Sequence, residues 1–142
     1  MIADVVTRLR DEVPALKLVD GAMSYAAVTV QPADKSMPAA YVVELSEDFI
    51  SPRGMSGAQS QDGRVTIGII VWMNTPKGAQ AQSAAPDALE QIRAAIKAAL
   101  FGWSPPNSEG ATFSHAGGRL LHAEGYLVVW QQSFVLNTEE RQ

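Results

Sequence analysis

The chain has 142 residues, a formal net charge of −4 and no cysteine. This length fits one domain that can bury a core without covalent cross-links, so no second domain is expected. The acidic balance argues against affinity for nucleic acid phosphates, and a chain without cysteine has no disulfide, no thiolate catalysis and no cysteine-ligated zinc.

The first residues predict a short helix rather than an export signal. Apolar residues recur there at helical spacing until Pro14 ends the pattern, namely Ile2, Val5, Val6, Leu9 and Val13. Asp4 and Arg8 stand inside what would have to be the apolar part of a signal peptide, so we expect the protein to stay in the cytoplasm that makes it. No apolar run approaches the ~20 residues that cross a bilayer, so no membrane partner is expected.

Two stretches before residue 46 predict strands. Residues 16–21 read as a connector, and residues 25–30 as a weak strand that Pro32 closes. Residues 39–45 predict a firmer strand with Tyr41, Val43 and Leu45 on one face. Residues 46–63 are polar, rich in Gly and Ser, and without a period, which predicts a long loop. Loops of this length tend to bind a partner or to be mobile tips, and both interpretations stay open.

Residues 65–73 predict the central strand of the sheet. One face repeats apolar residues with period two, namely Val65, Ile67, Ile69, Val71 and Met73, and the other face carries Ile70 and Trp72. A strand that is apolar on both faces is usually covered on both, either within its own chain or by a neighbouring subunit. For Trp72 a covering helix and a subunit interface are equally supported.

The main amphipathic helix is predicted to begin at Pro86 and to end at Gly102, after a loose connector at residues 75–85. Proline suits the first helical position, glycine suits a left-handed cap, and Pro105 and Pro106 cannot continue the helix. Its apolar face carries Leu89, Ile92, Ile96, Ala99, Leu100 and Trp103, whereas Gln91, Arg93 and Lys97 are expected to point outward.

The C-terminal third predicts an antiparallel hairpin. Residues 104–118 read as a surface excursion, residues 119–123 and 126–136 as two strands that turn at Glu124-Gly125, and residues 137–142 as a frayed end.

Few residues carry recognisable chemistry. His122-x-Glu124 begins like a zinc deaminase signature, but that chemistry also needs a Cys-x-x-Cys pair. His115 and His122 are not at a ligand spacing, and residues 54–58 miss the Gly-x-Ser-x-Gly pattern by one position. No nucleotide-binding loop is present. We therefore predict no catalytic residue, no cofactor and no metal, and the three tryptophans direct attention to assembly instead.

The order of elements resembles the tail terminator proteins of long-tailed bacteriophages, and within them the terminator-like minor tail proteins. The resemblance rests on Ala99-Leu100-Phe101-Gly102-Trp103-Ser104-Pro105, on Gly117-Gly118-Arg119-Leu120-Leu121 and on a strand from Trp130 to Phe134. It implies an α+β fold, in which an antiparallel sheet carries an N-terminal helix and one main amphipathic helix. It further implies a structural virion protein, not an enzyme, that forms a hexameric ring.

In such a ring the subunits contact each other, the tail tube protein and the head-completion proteins of the neck, and the ring ends polymerisation of the tube. We expect Arg53 and Asp62, in the long polar loop, to contact the tube or a neighbouring subunit, and Trp72 to lie between subunits. The alternatives are another ring- or tube-forming tail or neck completion protein, or a small ligand-binding domain or enzyme with a pocket between the main helix and the sheet.

Overall fold

The structure, a computed structural model, describes the chain except for residues 23–26, 28–29, 50–59, 75–78, 109, 125–126 and 142, and describes only the backbone at 34, 49, 60–62, 79–86, 124 and 138–141. In chain order the described elements are α1 (Ile2–Glu12), β1 (Leu18–Ala22), a 3-10 helix (Asp34–Ser36), β2 (Ala39–Phe49), β3 (Ser60–Asn74), α2 (Ala79–Leu100), β4 (Phe113–Glu124) and β5 (Leu127–Arg141).

The five strands form one sheet in the order β1-β2-β3-β5-β4, so the predicted central strand is β3 and lies in the middle. The prediction of an α+β domain is confirmed, but the sheet is mixed rather than wholly antiparallel because β1 runs parallel to β2. Residues 16–21 are therefore not a simple connector. Only Val19 of β1 is buried, and a strand with one buried residue leaves little periodic signal.

The two faces of the sheet bury two separate apolar clusters. Both helices pack on the first face, the helix face, where the fully buried side chains include Leu9, Ile67, Ile69, Ile96, Phe134 and Leu136. The second face buries Met37, Ala39, Val43, Ile70, Trp72 and Val129. The predicted division of β3 between its two faces is confirmed. Among the described residues, neither α1 nor α2 contributes a side chain to this second cluster.

Helix α1 begins and ends where the sequence predicts, and its buried residues are Val5, Val6 and Leu9. Two arginines of α1 form hydrogen bonds to α2 and β1. Arg8 Nε donates to the carbonyl oxygen of Ala99, in the last turn of α2, at 3.0 Å. Arg10 donates from Nε and Nη2 to the carbonyl oxygen of Val19, at 3.0 and 2.7 Å. A charged donor to an orphan carbonyl at a helix C-terminus replaces the missing backbone partner there.

Helix α2 begins at Ala79, not at Pro86, so the predicted start is wrong. Residues 79–85 consist of Ala, Gln and Ser, and the Ala and Gln residues favour helix strongly enough to extend it ahead of the proline. The predicted end is confirmed, because the helix stops at Leu100 and Gly102 has a φ of 78°. In the described part of the chain, neither helix has the length and apolar run needed to span a membrane.

Four strand ends extend further than predicted. β2 continues to Phe49 and β3 starts at Ser60, so only residues 50–59 of the predicted loop remain between them, and these lie outside the described residues. β4 already starts at Phe113, and β5 continues to Arg141 instead of fraying. The sequence predicts loops at these ends because polar residues that pair through their backbones leave no hydrophobic pattern. Of the weak strand predicted at 25–30, four residues also lie outside the described ones.

The C-terminal hairpin is confirmed. Glu124 pairs with Leu127, and the two residues between them, on which part of the predicted turn falls, lie outside the described residues. The register of β4 against β5 shifts twice, between His115 and Gly117 and between Leu120 and His122. Each shift marks a bulge in this edge strand, and at Gly117 the backbone has a φ of 111°.

Candidate interaction surfaces

The three residues predicted to make contacts do not lie together. Arg53 lies outside the described residues. Asp62 stands near the start of β3, where its backbone pairs with Glu139 of β5, and Trp72 stands near the end of the same strand. Ten residues of strand separate Asp62 from Trp72, which corresponds to about 33 Å. They therefore belong to opposite ends of the sheet and cannot form one site.

Trp72 belongs to the second face of the sheet. Its strand neighbours are Ala39 of β2 and Val129 of β5, and only 6% of the side chain is exposed in the single chain. It packs with Met37 and Ile70 in the apolar cluster of that face. An indole that is buried to this extent contributes to the stability of the subunit itself.

The space between α2 and the sheet is filled by apolar side chains. Ile92, Ile96 and Leu100 are each at most 5% exposed there. A groove of about 440 Å³ lies elsewhere, between α1 and the edge strand β1, and is lined by residues such as Val6, Thr7 and Asp20. Among the described residues, no three His, Asp or Glu side chains are grouped as metal ligands.

A different surface runs along the line where α2 meets the C-terminal hairpin. Arg93, Lys97 and Phe101 follow each other at spacings of four residues, so they form one stripe along α2 and its first following residue. The facing stripe consists of His115 and Leu120 on β4 and Trp130 on β5. These six residues are called the α2–β4 seam below.

Three contacts fix the course of the α2–β4 seam. The Arg93 guanidinium lies over the Trp130 ring, 3.9 Å from its centroid, and Gln132 Nε2 donates to the Arg93 carbonyl oxygen at 3.2 Å. Further along, Phe101 forms a bridge to Phe113, at the start of β4. The helix thus runs beside the hairpin from Trp130 to the beginning of β4, with its basic stripe next to the sheet edge.

The α2–β4 seam leaves several polar atoms without a hydrogen-bond partner in the part of the chain that the structure describes. They are Arg93 Nε, His115 Nε2, Trp130 Nε1 and, just behind them, Gln132 Oε1. Each such atom is shielded from water, and an unsatisfied buried polar group costs about 1–3 kcal/mol. Arg93 Nε and Trp130 Nε1 carry N–H groups that can only donate, whereas Nε2 of a neutral imidazole donates or accepts according to its tautomer.

The surroundings of His115 favour its neutral form. Burial first, and then the positive charges of Lys97 and Arg93, lower the pKa of its imidazole below the ordinary value of 6.5. On its other side the ring contacts Phe134, with 5.3 Å between the ring centroids. In the described part of the chain, neither Arg93 nor Lys97 forms an ion pair with a carboxylate. The α2–β4 seam is therefore a basic surface without internal neutralisation.

Exposed apolar area accompanies this charge. Phe101 is 58% exposed and Leu120 is 53% exposed, and they lie near the two ends of the seam. Exposed aromatic and aliphatic side chains beside arginine are the composition that protein interfaces favour. Lys97 is exposed, as the sequence predicts, but Arg93 is half-buried over the Trp130 ring rather than turned to solvent, and the sequence does not predict this contact. The i, i+4, i+8 spacing of Arg93, Lys97 and Phe101 was the available signal.

Six of the fifteen acidic residues belong to strand segments at one end of the sheet. Beyond the last residues that pair with β1 and β4, three strand segments continue alone, and they are called the acidic ribbon below: 44–49 of β2, 60–64 of β3 and 137–141 of β5. The ribbon contains six acids and two arginines, so its formal net charge is −4, the same as that of the whole chain. Glu44, Glu47 and Asp48 are exposed, and within the described residues none forms an ion pair.

Comparison with known proteins agrees with this picture of an assembly protein. The sequence profile described as phage tail terminator protein matches residues 2–142, which is nearly the whole chain. The chain belongs to the phage tail terminator family. A search of curated proteins finds no match.

Members of the tail terminator family are structural virion proteins rather than enzymes. The family places this protein in the phage tail, where it interacts with tail and neck components. The resemblance expected from the sequence is thereby confirmed.

Proposed function

We propose that the protein forms a hexameric ring that caps the tail tube, ends polymerisation of the tube and provides the joint to the head-completion proteins of the neck. The match to the tail terminator family over residues 2–142 carries this proposal. Assembly takes place in the cytoplasm of the bacterial host, and the finished ring stays in the virion tail.

Two different surfaces of the subunit support a ring. A closed ring of identical subunits needs two different and complementary surfaces on each subunit, because every contact joins one surface to the other. The chain has a basic seam beside the edge strand β4 and an acidic ribbon at one end of the sheet. A net acidic chain also suits a ring whose opening lets DNA pass without binding it.

Arg53, Asp62 and Trp72 remain proposed contact residues. β2 ends at Phe49 and β3 begins at Ser60 at one end of the sheet, next to the segment that contains Arg53, and we expect Arg53 and Asp62 to contact the tube or a neighbour there. Replacing residues 50–59 with a short Gly-Ser turn should then abolish tube capping, while the melting temperature of the subunit stays nearly unchanged. Normal capping by this variant would refute a role for Arg53.

Polymerisation of the tube protein of the same phage tests the function. We expect wild-type protein added during polymerisation to stop tube growth, and electron microscopy to show a six-fold ring at one end of each tube. Light scattering should give a closed species of six times the 15.2 kDa chain mass, alone or after release from tubes. Long filaments of this protein would instead indicate a tube subunit, and tubes that grow unchanged would refute the proposal.

A further inference from the structure

We propose that the α2–β4 seam of one subunit binds the acidic ribbon of a second copy of this chain, an inference that rests on the proposed ring. The two surfaces then form the repeated contact between neighbouring subunits. Among the described residues, Arg93 and Lys97 of the seam and Glu44, Glu47 and Asp48 of the ribbon form no ion pair, and the net charges of the two surfaces are opposite.

The seam supplies the donors. Lys97 is exposed and Arg93 is half-buried, and neither has a carboxylate partner in the described part of the chain. A carboxylate accepts hydrogen bonds from such groups and neutralises the local charge at the same time. Around this centre, Phe101 and Leu120 offer exposed apolar area that a neighbour can cover.

The ribbon supplies the acceptors. Glu44 pairs across the strands with Ile67 and Glu47 with Val65, and both partners belong to the cluster on the helix face. Directly paired residues point to the same side of a sheet, so Glu44 and Glu47 both project from the helix face. Both are exposed and without an ion pair among the described residues. They form the part of the ribbon best suited to the seam.

The positions of the two surfaces favour contact between copies rather than within one. The seam lies along the lateral edge of the sheet at β4, whereas the ribbon begins where pairing with β4 has ended. A contact between two different surfaces is heterologous, so it repeats from subunit to subunit and closes when the rotation allows it. Opposite potentials also prevent wrong pairings of seam with seam or ribbon with ribbon.

Charge reversal on each surface tests the inference. Lys97→Glu changes the seam and Glu47→Lys changes the ribbon, and both positions are exposed, so the fold should tolerate either change. We expect each variant alone to self-associate roughly tenfold or more weakly than the wild type, because like charges then face each other. Lys17→Glu and Asp11→Lys, at exposed positions near α1, are the matched controls and should assemble normally.

An equimolar mixture of Lys97→Glu and Glu47→Lys tests whether the two surfaces contact each other. In an alternating ring every altered seam meets an altered ribbon, so assembly should recover in the mixture and also in the Lys97→Glu/Glu47→Lys double variant. Assembly is read by light scattering and by the rings on capped tubes. If the wild type forms rings and both single variants assemble as well as it does, this interface is wrong and the proposed function stands. The same holds if Lys97→Glu loses tube capping but still forms a free ring. A wild type that neither closes nor caps tubes would overturn the proposed function itself.

Discussion

The Arg93 guanidinium lies 3.9 Å from the centroid of the Trp130 ring, and the same indole closes over Gly118 of the edge strand. A Cβ atom at Gly118 would approach Trp130 Nε1 to 2.8 Å, which is closer than van der Waals contact allows. The smallest residue in the hairpin therefore makes room for one of its largest. One ring links α2, β4 and β5 at this point.

Gly118→Ala should lower the free energy of unfolding by about 1–3 kcal/mol, the cost of overpacking a well-filled site. The indole cannot move aside without losing its contact with Arg93. Chemical denaturation measures the effect. In a Trp130→Phe background the ring is smaller, so Gly118→Ala should lower the free energy of unfolding by less. Equal losses of free energy in both backgrounds would contradict the proposed clash.

Arg8→Met should lower the free energy of unfolding by about 1.5–3 kcal/mol, the range for a hydrogen bond to a charged group. The variant keeps the aliphatic stem and removes the donor to the Ala99 carbonyl oxygen in the last turn of α2. It also removes the contact with the Trp103 ring.

Glu12→Gln is the matched control for Arg8→Met. It removes only the ion pair with Arg8, at 3.3 Å and largely exposed, and should cost less than about 1 kcal/mol. Equal losses for the two variants would show that the ion pair, and not the bond to α2, stabilises this corner.

The folding stability should fall as the pH decreases below about 6.5, in part because of His115. Burial, Lys97 and Arg93 lower the pKa of His115 in the folded state, so the unfolded state binds the proton more readily. The contribution of neutral His115 to the folding stability is complete above its ordinary pKa of 6.5. It is lost as the pH falls through the lower pKa of the folded state.

Unfolding curves for the wild type and for His115→Gln, recorded between pH 8 and pH 5, isolate the share of His115. The difference in stability between the two proteins should change in favour of His115→Gln as the pH decreases. A constant difference across this range would contradict the lowered pKa.

Trp72→Ala should lower the free energy of unfolding of the subunit by about 3–5 kcal/mol, because the side chain is 6% exposed within an apolar cluster. Trp72→Phe is milder and tests the proposed interface. If Trp72 contacts a neighbour, Trp72→Phe should weaken the ring more than it destabilises the subunit, as measured by light scattering and denaturation. An intact ring with a destabilised subunit would assign the residue to the core alone.

Sequence reasoning succeeded where burial is periodic. In β3 both faces are covered, so the alternation from Val65 to Met73 indicated a central strand without reference to any other element. The same criterion failed at β1, where Val19 is the only buried residue, and at the polar ends of β2 and β5. Pairing in those segments depends on backbone N–H and C=O groups, and every residue except proline, which lacks the N–H, possesses both.

The seam was hidden for a related reason. Arg93 and Lys97 have the polarity of solvent-facing residues, and only the position of Trp130 and His115, far away along the chain, turns them into one surface. Arginine covers apolar area with its stem and its planar head, so its chemical class does not fix its burial. The spacing within the helix shows that Arg93 and Lys97 share a face, but it does not show that Trp130 lies against that face.

The two bulges in β4 have a consequence for how the isolated protein behaves at high concentration. An exposed, regular edge strand is a template on which further strands add without limit, and this is how fibrils begin. The register shifts at residues 115–117 and 120–122 interrupt that template, and the opposite edge, β1, is only five residues long. Neither edge strand therefore offers a long regular template, and concentrated samples should stay free of fibrils that bind thioflavin T.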